Sequence, residues 1–302
     1  MAGQSRLDRT YAHLMSAHPY GWALYKKVTN RDIFPGSYGY FDADGDWRML
    51  LDLNKHAELV NQGWTVPKDG LANTLPPESM TWGPKVAGSI VAKSVVGTAG
   101  SAIAAAPVKA AVFMKVKSEG NYGAVLATES PVLQYSIGDG QRAHEWMIEN
   151  EDQMLSKHGH IMKQHGIWVI TKAYCTRRCA IALTTESKSS VQISFEADAQ
   201  GMLKLTPTSS WESTTGSNCT ELHEDENNGV VVFISGIHVS RRFLGQSWAL
   251  DQTSQKKKIF RGDEDEETGQ TQLDVTYYPP LHSSSVDLSD SGSDDGVQKD
   301  DV

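Results

Sequence analysis

Thirty-two consecutive residues, Val86 to Lys117, contain no acidic side chain and only four charges, all lysine (Lys93, Lys109, Lys115, Lys117), in a chain of net charge -9. The first part, VAGSIVAKSVVGTAGSAIAAAP, is built from Ala, Gly, Ser and Val. The second, VKAAVFMKVK, alternates Val108, Ala110, Val112, Met114 and Val116 along one face of a strand. Three structures suit such a stretch. A transmembrane helix needs about 20 strongly apolar residues, and Lys93, Gly88, Gly97, Gly100 and several hydroxyls dilute the segment before Pro107 ends it. A core hairpin with a solvated lysine face is the second. The third is an amphipathic β-hairpin stored on a soluble domain and able to span a bilayer within a closed barrel, because only helices and closed barrels satisfy backbone polar groups in lipid.

At 302 residues and 39% hydrophobic content, the chain has room for one sizeable core and a tail. The N-terminal MAGQSRLDRTYAHLM lacks an apolar signal region. Three cysteines (Cys175, Cys179, Cys219) fit a reducing compartment better than a disulfide framework. A cytoplasmic resting location is the expectation. Charge is divided unevenly: Asp263 to Val302 carries twelve acidic residues against Lys299, a net of -11, while the preceding 262 residues carry +2. Just before this tail, Arg241, Arg242, Lys256, Lys257, Lys258 and Arg261 form a basic stretch broken only by Asp251. It suits anionic headgroups or nucleic acid, or a solvated linker.

Leu7, Tyr11, Leu14 and Met15 recur at helical spacing, which predicts a docked amphipathic helix over residues 4–16. Strands are predicted at Gly21 to Thr29, Tyr38 to Phe41 and Trp47 to Leu53, the last two joined by the DADGD turn. Pro67, Pro76, Pro77 and Pro84 predict a long loop from Asn54 to Pro84, and Glu119 to Gly123 a turn. Gln141 to Lys157 is a helix with Trp146, Ile148, Met154 and Leu155 inward. Ile167 to Tyr174 and Cys179 to Leu183 read as a second hairpin, with alternation again at Val191 to Phe195. Gly229 to Val239 is apolar on both faces, as in a central strand. Beyond Ser247 no apolar periodicity is evident, and the acidic, serine-rich end has the composition of disorder.

No motif supports catalysis. DADGDW imitates a calcium loop, but Leu53 stands where a bidentate Glu is required. His158, His160 and His165 lack a completing carboxylate or thiol and read as loop histidines. Cys175 and Cys179 flank Arg177 and Arg178; they are structural, or one is a thiol of lowered pKa. No phosphate loop, nucleophile elbow or dinucleotide fingerprint occurs. The expectation is a non-enzyme with no metal or cofactor.

The order of a basic strand ending in ALYKKVTNRDIFPGSYGYF, an aspartate turn into WRMLLDL, a lysine-studded hairpin, a helix and WVITKAYCTRRCAIAL resembles the pore-forming domain of the gasdermin family, in particular its short fungal branch. The likeness covers roughly residues 5 to 245. It implies an α+β fold, a twisted and mainly antiparallel sheet with flanking helices over residues 1–245, and a short, mostly disordered regulatory tail over 246–302. It also implies two hairpins, about Val86 to Thr128 and His165 to Leu205, that become membrane strands. With the alternation above, this makes Val108, Val112, Met114, Val169, Ile181 and Leu183 membrane-inserting candidates. Arg6, Arg9, Lys26 and Lys27 would face lipid headgroups, and Arg241 and Arg242 join them through the basic stretch. The implied function is a membrane pore-forming effector of regulated cell death. A protease, possibly subtilisin-like, would cut near Gly245, Lys258, Phe260 or Gly262. The chain would then self-assemble as a β-barrel in anionic membranes, chiefly the plasma membrane, with no nucleic-acid partner. The competing reading is a non-enzymatic scaffold that binds protein or nucleic acid, with the tail a solubilising appendage.

Overall fold

The computed structural model describes residues 6–66, 75–96, 110–138, 140–184, 190–197, 203–204, 212–213, 219–242 and 272–280. In chain order the elements are α1 (Leu7–Leu14), β1 (Trp22–Ala23), β2 (Ser37–Phe41), β3 (Trp47–Asp52), α2 (His56–Asn61), β4 (Glu78–Met80), β5 (Lys85–Val96), β6 (Ala110–Thr128) and β7 (Val132–Ser136). There follow α3 (Gly140–Glu149), α4 (Glu151–Gln164), β8 (Ile167–Thr176), β9 (Arg178–Thr184), β10 (Ser190–Ala197), β11 (Leu203–Lys204), β12 (Glu212–Ser213), β13 (Cys219–Glu224), β14 (Val230–Arg242) and β15 (Gln272–Tyr278). The class is α+β, and every strand pairing is antiparallel.

The strands form two sheets. In the first, β14 and β8 are central. On its far side β14 is covered by β1 at Phe233–Ile234 and by β15 from Gly236 to Arg242. β8 is covered on its far side by β2 and β7 in succession, with β3 outside β2 and β4 outside β7. Val230 to Ile234 are buried, as a run apolar on both faces demands. The second sheet is built on β6, with β5 on one side and β9 and β10 end to end on the other.

The two sheets share chain. β6 ends in the second sheet and β7 begins in the first after a corner at Glu129–Pro131, while β8 leaves the first sheet and β9 enters the second across the single residue Arg177. The two corners lie side by side, with the Glu129 amide donating to the Arg178 carbonyl at 2.9 Å and the Thr176 hydroxyl to the Glu129 carbonyl at 2.6 Å.

Two apolar clusters fix the helices. α3 and α4 bury Trp146, Met147, Met154 and Met162 against Tyr38, Ile167, Val169, Ile237 and Val239 of the first sheet. α1 buries Tyr11, with Met15 just beyond its end, in a cluster that takes Tyr174, Val230, Val232 and Phe233 from the first sheet and Ala87, Ala124, Leu126, Ile181 and Leu183 from the second.

The structure corrects several expectations. Only Trp22–Ala23 of the Gly21 to Thr29 segment is a strand; the rest follows β14 irregularly, through Leu24 to Val232 and Val231 to Val28 backbone bonds. The Asn54 to Pro84 loop contains α2 and β4. No turn interrupts Glu119 to Gly123: β6 runs through, and a register shift between Gly88 and Ile90 of β5 absorbs the weak β-formers. The predicted helix Gln141 to Lys157 is two helices broken at Asn150. The Asn150 backbone leaves helical geometry (φ -111°, ψ 16°) while its buried carboxamide donates to the carbonyls of Trp146 (2.8 Å) and Thr65 (3.1 Å) and accepts from the Thr65 amide (2.8 Å), tying the junction to the Thr65 segment. Ile148, expected inward, is 38% exposed. α4 carries His158 and His160, and His165 caps it, so none of the three is a loop histidine. Finally, Gln272–Tyr278, in the tail read as lacking periodicity, is strand β15, with Leu273 and Val275 buried against the first cluster.

Burial pushes four histidines down, His18, His158, His223 (to about 4) and His238. His238 on β14, its ring 4.9 Å from that of Trp168, is lowered to about 4. His158, its Nδ1 3.1 Å from the Tyr38 hydroxyl and its ring stacked on Trp64, is lowered chiefly by burial and then by Lys157. The unfolded chain protonates these rings first, near an ordinary histidine value of about 6.5. Stability is therefore full above about pH 6.5 and falls as pH drops toward 4. The urea midpoint should be lower at pH 5 than at pH 7.5, and His238→Asn should narrow that difference.

Candidate functional site

The second sheet is the element that the unusual sequence stretch builds. Along β6 the partners are Thr128 with Cys179, Gly123 with Thr184, Lys117 with Ser190 and Ala110 with Ala197. The residue numbers of every one of these pairs sum to the same value, so β9 and β10 continue one register along β6. β5 lies on the opposite edge of β6, from Lys85 against Leu126 to Val96 against Val112. Beyond β9 and β10 the chain returns as β11, β12 and β13, each antiparallel to them. The result is a ribbon of two antiparallel hairpins, β5–β6 and β9/β10–β11/β12/β13, joined edge to edge.

The expected second hairpin is therefore corrected. β8 and β9 do not pair, because Arg177 sends them to different sheets. Val169, on β8, is buried in the first sheet between Tyr38 and Ile237 and is not a ribbon residue. Ile181 and Leu183 are ribbon residues, opposite Leu126 and Ala124 on β6, and both are fully buried in the α1 cluster. Val112 stands at the register position between Val96 and Phe195, and Met114 between Ser94 and Ile193. Val108 lies outside the described residues, as do Gly245, Lys258, Phe260 and Gly262.

The root of the first hairpin is anchored to the first sheet. The Lys85 ammonium lies 5.2 Å from the Tyr20 ring centroid and 5.1 Å from that of Trp82, a cation–π geometry. Those rings are 4.2 Å apart and pack with Tyr174 and Phe233. One residue on, His18 Nε2 lies 3.1 Å from the Val86 carbonyl. Sequence reading missed this anchor, although Trp82 and Lys85 on either side of Gly83-Pro84 mark a fixed entry into the strand.

The candidate headgroup cations are less free than their sequence positions imply. Arg6 is paired with Asp8 at 2.6 Å and Lys26 with Asp46 at 2.7 Å. Arg9 and Lys27 are both exposed. Arg241 is exposed on β14, opposite Leu273 of β15, and Arg242 is opposite Gln272. The DADGD segment is a hairpin turn: Asp42 accepts from the amides of Asp44 and Asp46 and from Arg48, and Gly45 supplies the positive φ of 85°. Among the described residues no group of three or more histidine, cysteine or acidic side chains is placed to hold a metal. Cys175 and Cys179 are buried free thiols, and burial pushes Cys175 up to about 12, which favours the structural reading over a reactive one. No described helix is long and apolar enough to cross a membrane.

No protein-family model matches the chain, and no curated protein does. Among solved structures, the cryo-EM structure of the gasdermin A3 membrane pore aligns over 82% of this chain and 96% of that chain, at 10% identity and a TM-score of 0.26. A superposition this loose leaves the question of function to the chain's own residues.

The α1 cluster offers a direct test of its packing. Tyr11 is fully buried, and its hydroxyl has no hydrogen-bond partner among the described residues. Tyr11→Phe should therefore raise unfolding stability by about 1 kcal/mol, read as a higher urea midpoint at unchanged slope.

Proposed function

We propose that this chain is a membrane pore-forming protein whose second sheet supplies the membrane strands. The observation that carries the reading is the ribbon: two adjacent antiparallel hairpins, one of them the acid-free, lysine-studded stretch, with β9 and β10 held in one common register along β6. Several copies joined edge to edge would close a barrel, which leaves no unpaired backbone in lipid. The gasdermin-like order of sequence elements supports the same reading. In the resting, cytoplasmic form the ribbon is kept on the body by the α1 cluster and the Lys85 anchor. In the active form the chain acts at anionic membranes, chiefly the plasma membrane, as a homo-oligomer.

Activation follows from charge. The tail from Asp263 carries -11 and the rest of the chain +2. Each basic residue near an anionic surface contributes about 1 kcal/mol, so loss of the tail favours docking through Arg9, Arg241, Arg242 and Lys27, and through Arg6 and Lys26 once their acidic partners yield. A subtilisin-like protease cutting between Gly245 and Gly262 is the proposed trigger, and neither a cofactor nor a nucleic acid takes part.

Full-length chain carrying an engineered protease site between residues 245 and 262 provides the test. Cutting should release dye from anionic vesicles, with little release from uncut protein or from neutral vesicles. Absence of leakage from every cut sample, together with salt-dependent nucleic-acid binding, would replace the pore with a scaffold. A charge on the ribbon's middle strand separates barrel insertion from surface disruption: Val112→Arg, between Val96 and Phe195, should cost up to about 2–4 kcal/mol within the hydrocarbon layer and abolish leakage from cut protein whose urea midpoint matches the parent's.

A further inference from the structure

The strand that the acidic tail contributes to the first sheet points to an interaction surface independent of the ribbon. β15 makes seven consecutive register pairs with β14, from Gly236–Tyr278 to Arg242–Gln272. It is read on both faces. Leu273 and Val275 are buried beside Val239, Met147 and Met154, and Tyr277 lies with its ring 5.9 Å from that of His144. On the other face Tyr278 packs between Trp22 and Trp168, at 5.4 and 4.8 Å between ring centroids. β1 covers β14 only at Phe233–Ile234, so without β15 the edge from Gly236 to Arg242 would be bare on that side among the described residues.

The point of departure matters equally. Arg242 and Gln272 are register partners, so the chain leaves the sheet and re-enters it at the same place. A cut anywhere between residues 243 and 271 breaks none of the seven pairs and none of the ring contacts.

We infer that the Gly236–Arg242 edge of β14 is a strand-binding site, which takes an extended peptide with the pattern Leu-x-Val-x-Tyr-Tyr by β-augmentation. The chain's own Gln272–Tyr278 segment is its occupant. Cleavage between 243 and 262 therefore yields a two-piece protein in which the tail stays bound, and the -11 carried from Asp263 onward leaves only when β15 unzips from β14. The link from unzipping to membrane activity rests on the pore-forming reading; retention of the strand does not.

The full-length chain with the engineered site tests both parts. After cutting, the two pieces should co-elute on size exclusion without denaturant. A fluorescent peptide of residues 272–280 should exchange into the cut protein, and the same peptide with Asp in place of Leu273 and Val275 should compete at least about tenfold more weakly. Separation of the pieces at once, or equal competition by both peptides, overturns the site. Because the peptide experiment leaves the protein unmutated, misfolding cannot imitate its result. In the vesicle arm, cut Leu273→Asp protein should leak at least about tenfold faster than cut parent, and uncut Leu273→Asp should remain slow. Equal rates from the two cut proteins would show that β15 is not the gate. Absence of leakage from both would instead remove the pore reading and leave the strand site to the exchange result.

Discussion

The structure depends on one continuous antiparallel pairing that passes from one sheet to the other. Ser136 to Leu133 pair with Lys172 to Cys175 in the first sheet, and in the second Thr128 to Gly123 pair with Cys179 to Thr184 and Lys117 to Ala110 with Ser190 to Ala197. Between them residues 129–132 face 176–178, a one-residue mismatch taken up at the corner. Because the same two segments serve both sheets, neither sheet can be reshaped alone. The α1 cluster exploits this: by packing Tyr11 and Met15 against side chains of both sheets, one short helix fixes the angle at which the ribbon leaves the body. Its burial is apolar and non-directional, so it holds the ribbon firmly without specifying a single alternative-proof geometry.

Much of this was legible in the sequence, and the failures share a cause. The spacing of Leu7, Tyr11, Leu14 and Met15 gave a helix with the right buried face, and Asp-Gly at the β2–β3 corner gave a hairpin with the right turn. The run from Val230 gave a doubly covered strand. These are signals read within about a dozen residues. Pairing partners are not. Nothing local in WVITKAYCTRRCAIAL tells that Arg177 marks a change of sheet and not a hairpin tip, because alternation on either side of it is the same. Asn150 likewise looks like an ordinary helical position until its carboxamide finds Thr65, eighty-five residues away. β15 is instructive in another way: Leu273, Val275 and Tyr277 do alternate, but one short alternation inside a strongly acidic, serine-rich segment is outweighed by composition.

The surface electrostatics qualify a reading based on charge count. Around α1 and the β2–β3 turn, Arg6, Lys26 and Arg48 are matched by Asp8, Asp46 and Asp42 at 2.6 to 2.8 Å. Such part-exposed pairs contribute only about 0–1 kcal/mol each, so they do little for stability and release their cations cheaply to a strongly anionic surface. The same pairing leaves these three cations locally neutralised in the folded chain.

β6 is 19 residues long. At roughly 3.4 Å per residue it extends for about 65 Å, and β9 and β10 pair with it toward its two ends. A tilted membrane strand needs only about 9–11 residues. A barrel made from these hairpins would consequently stand well clear of the bilayer on at least one side, a walled vestibule roughly as tall as the hydrocarbon layer itself. Its height is set in the soluble protein, by the distance between the corner at Glu129 and the first residue of β6.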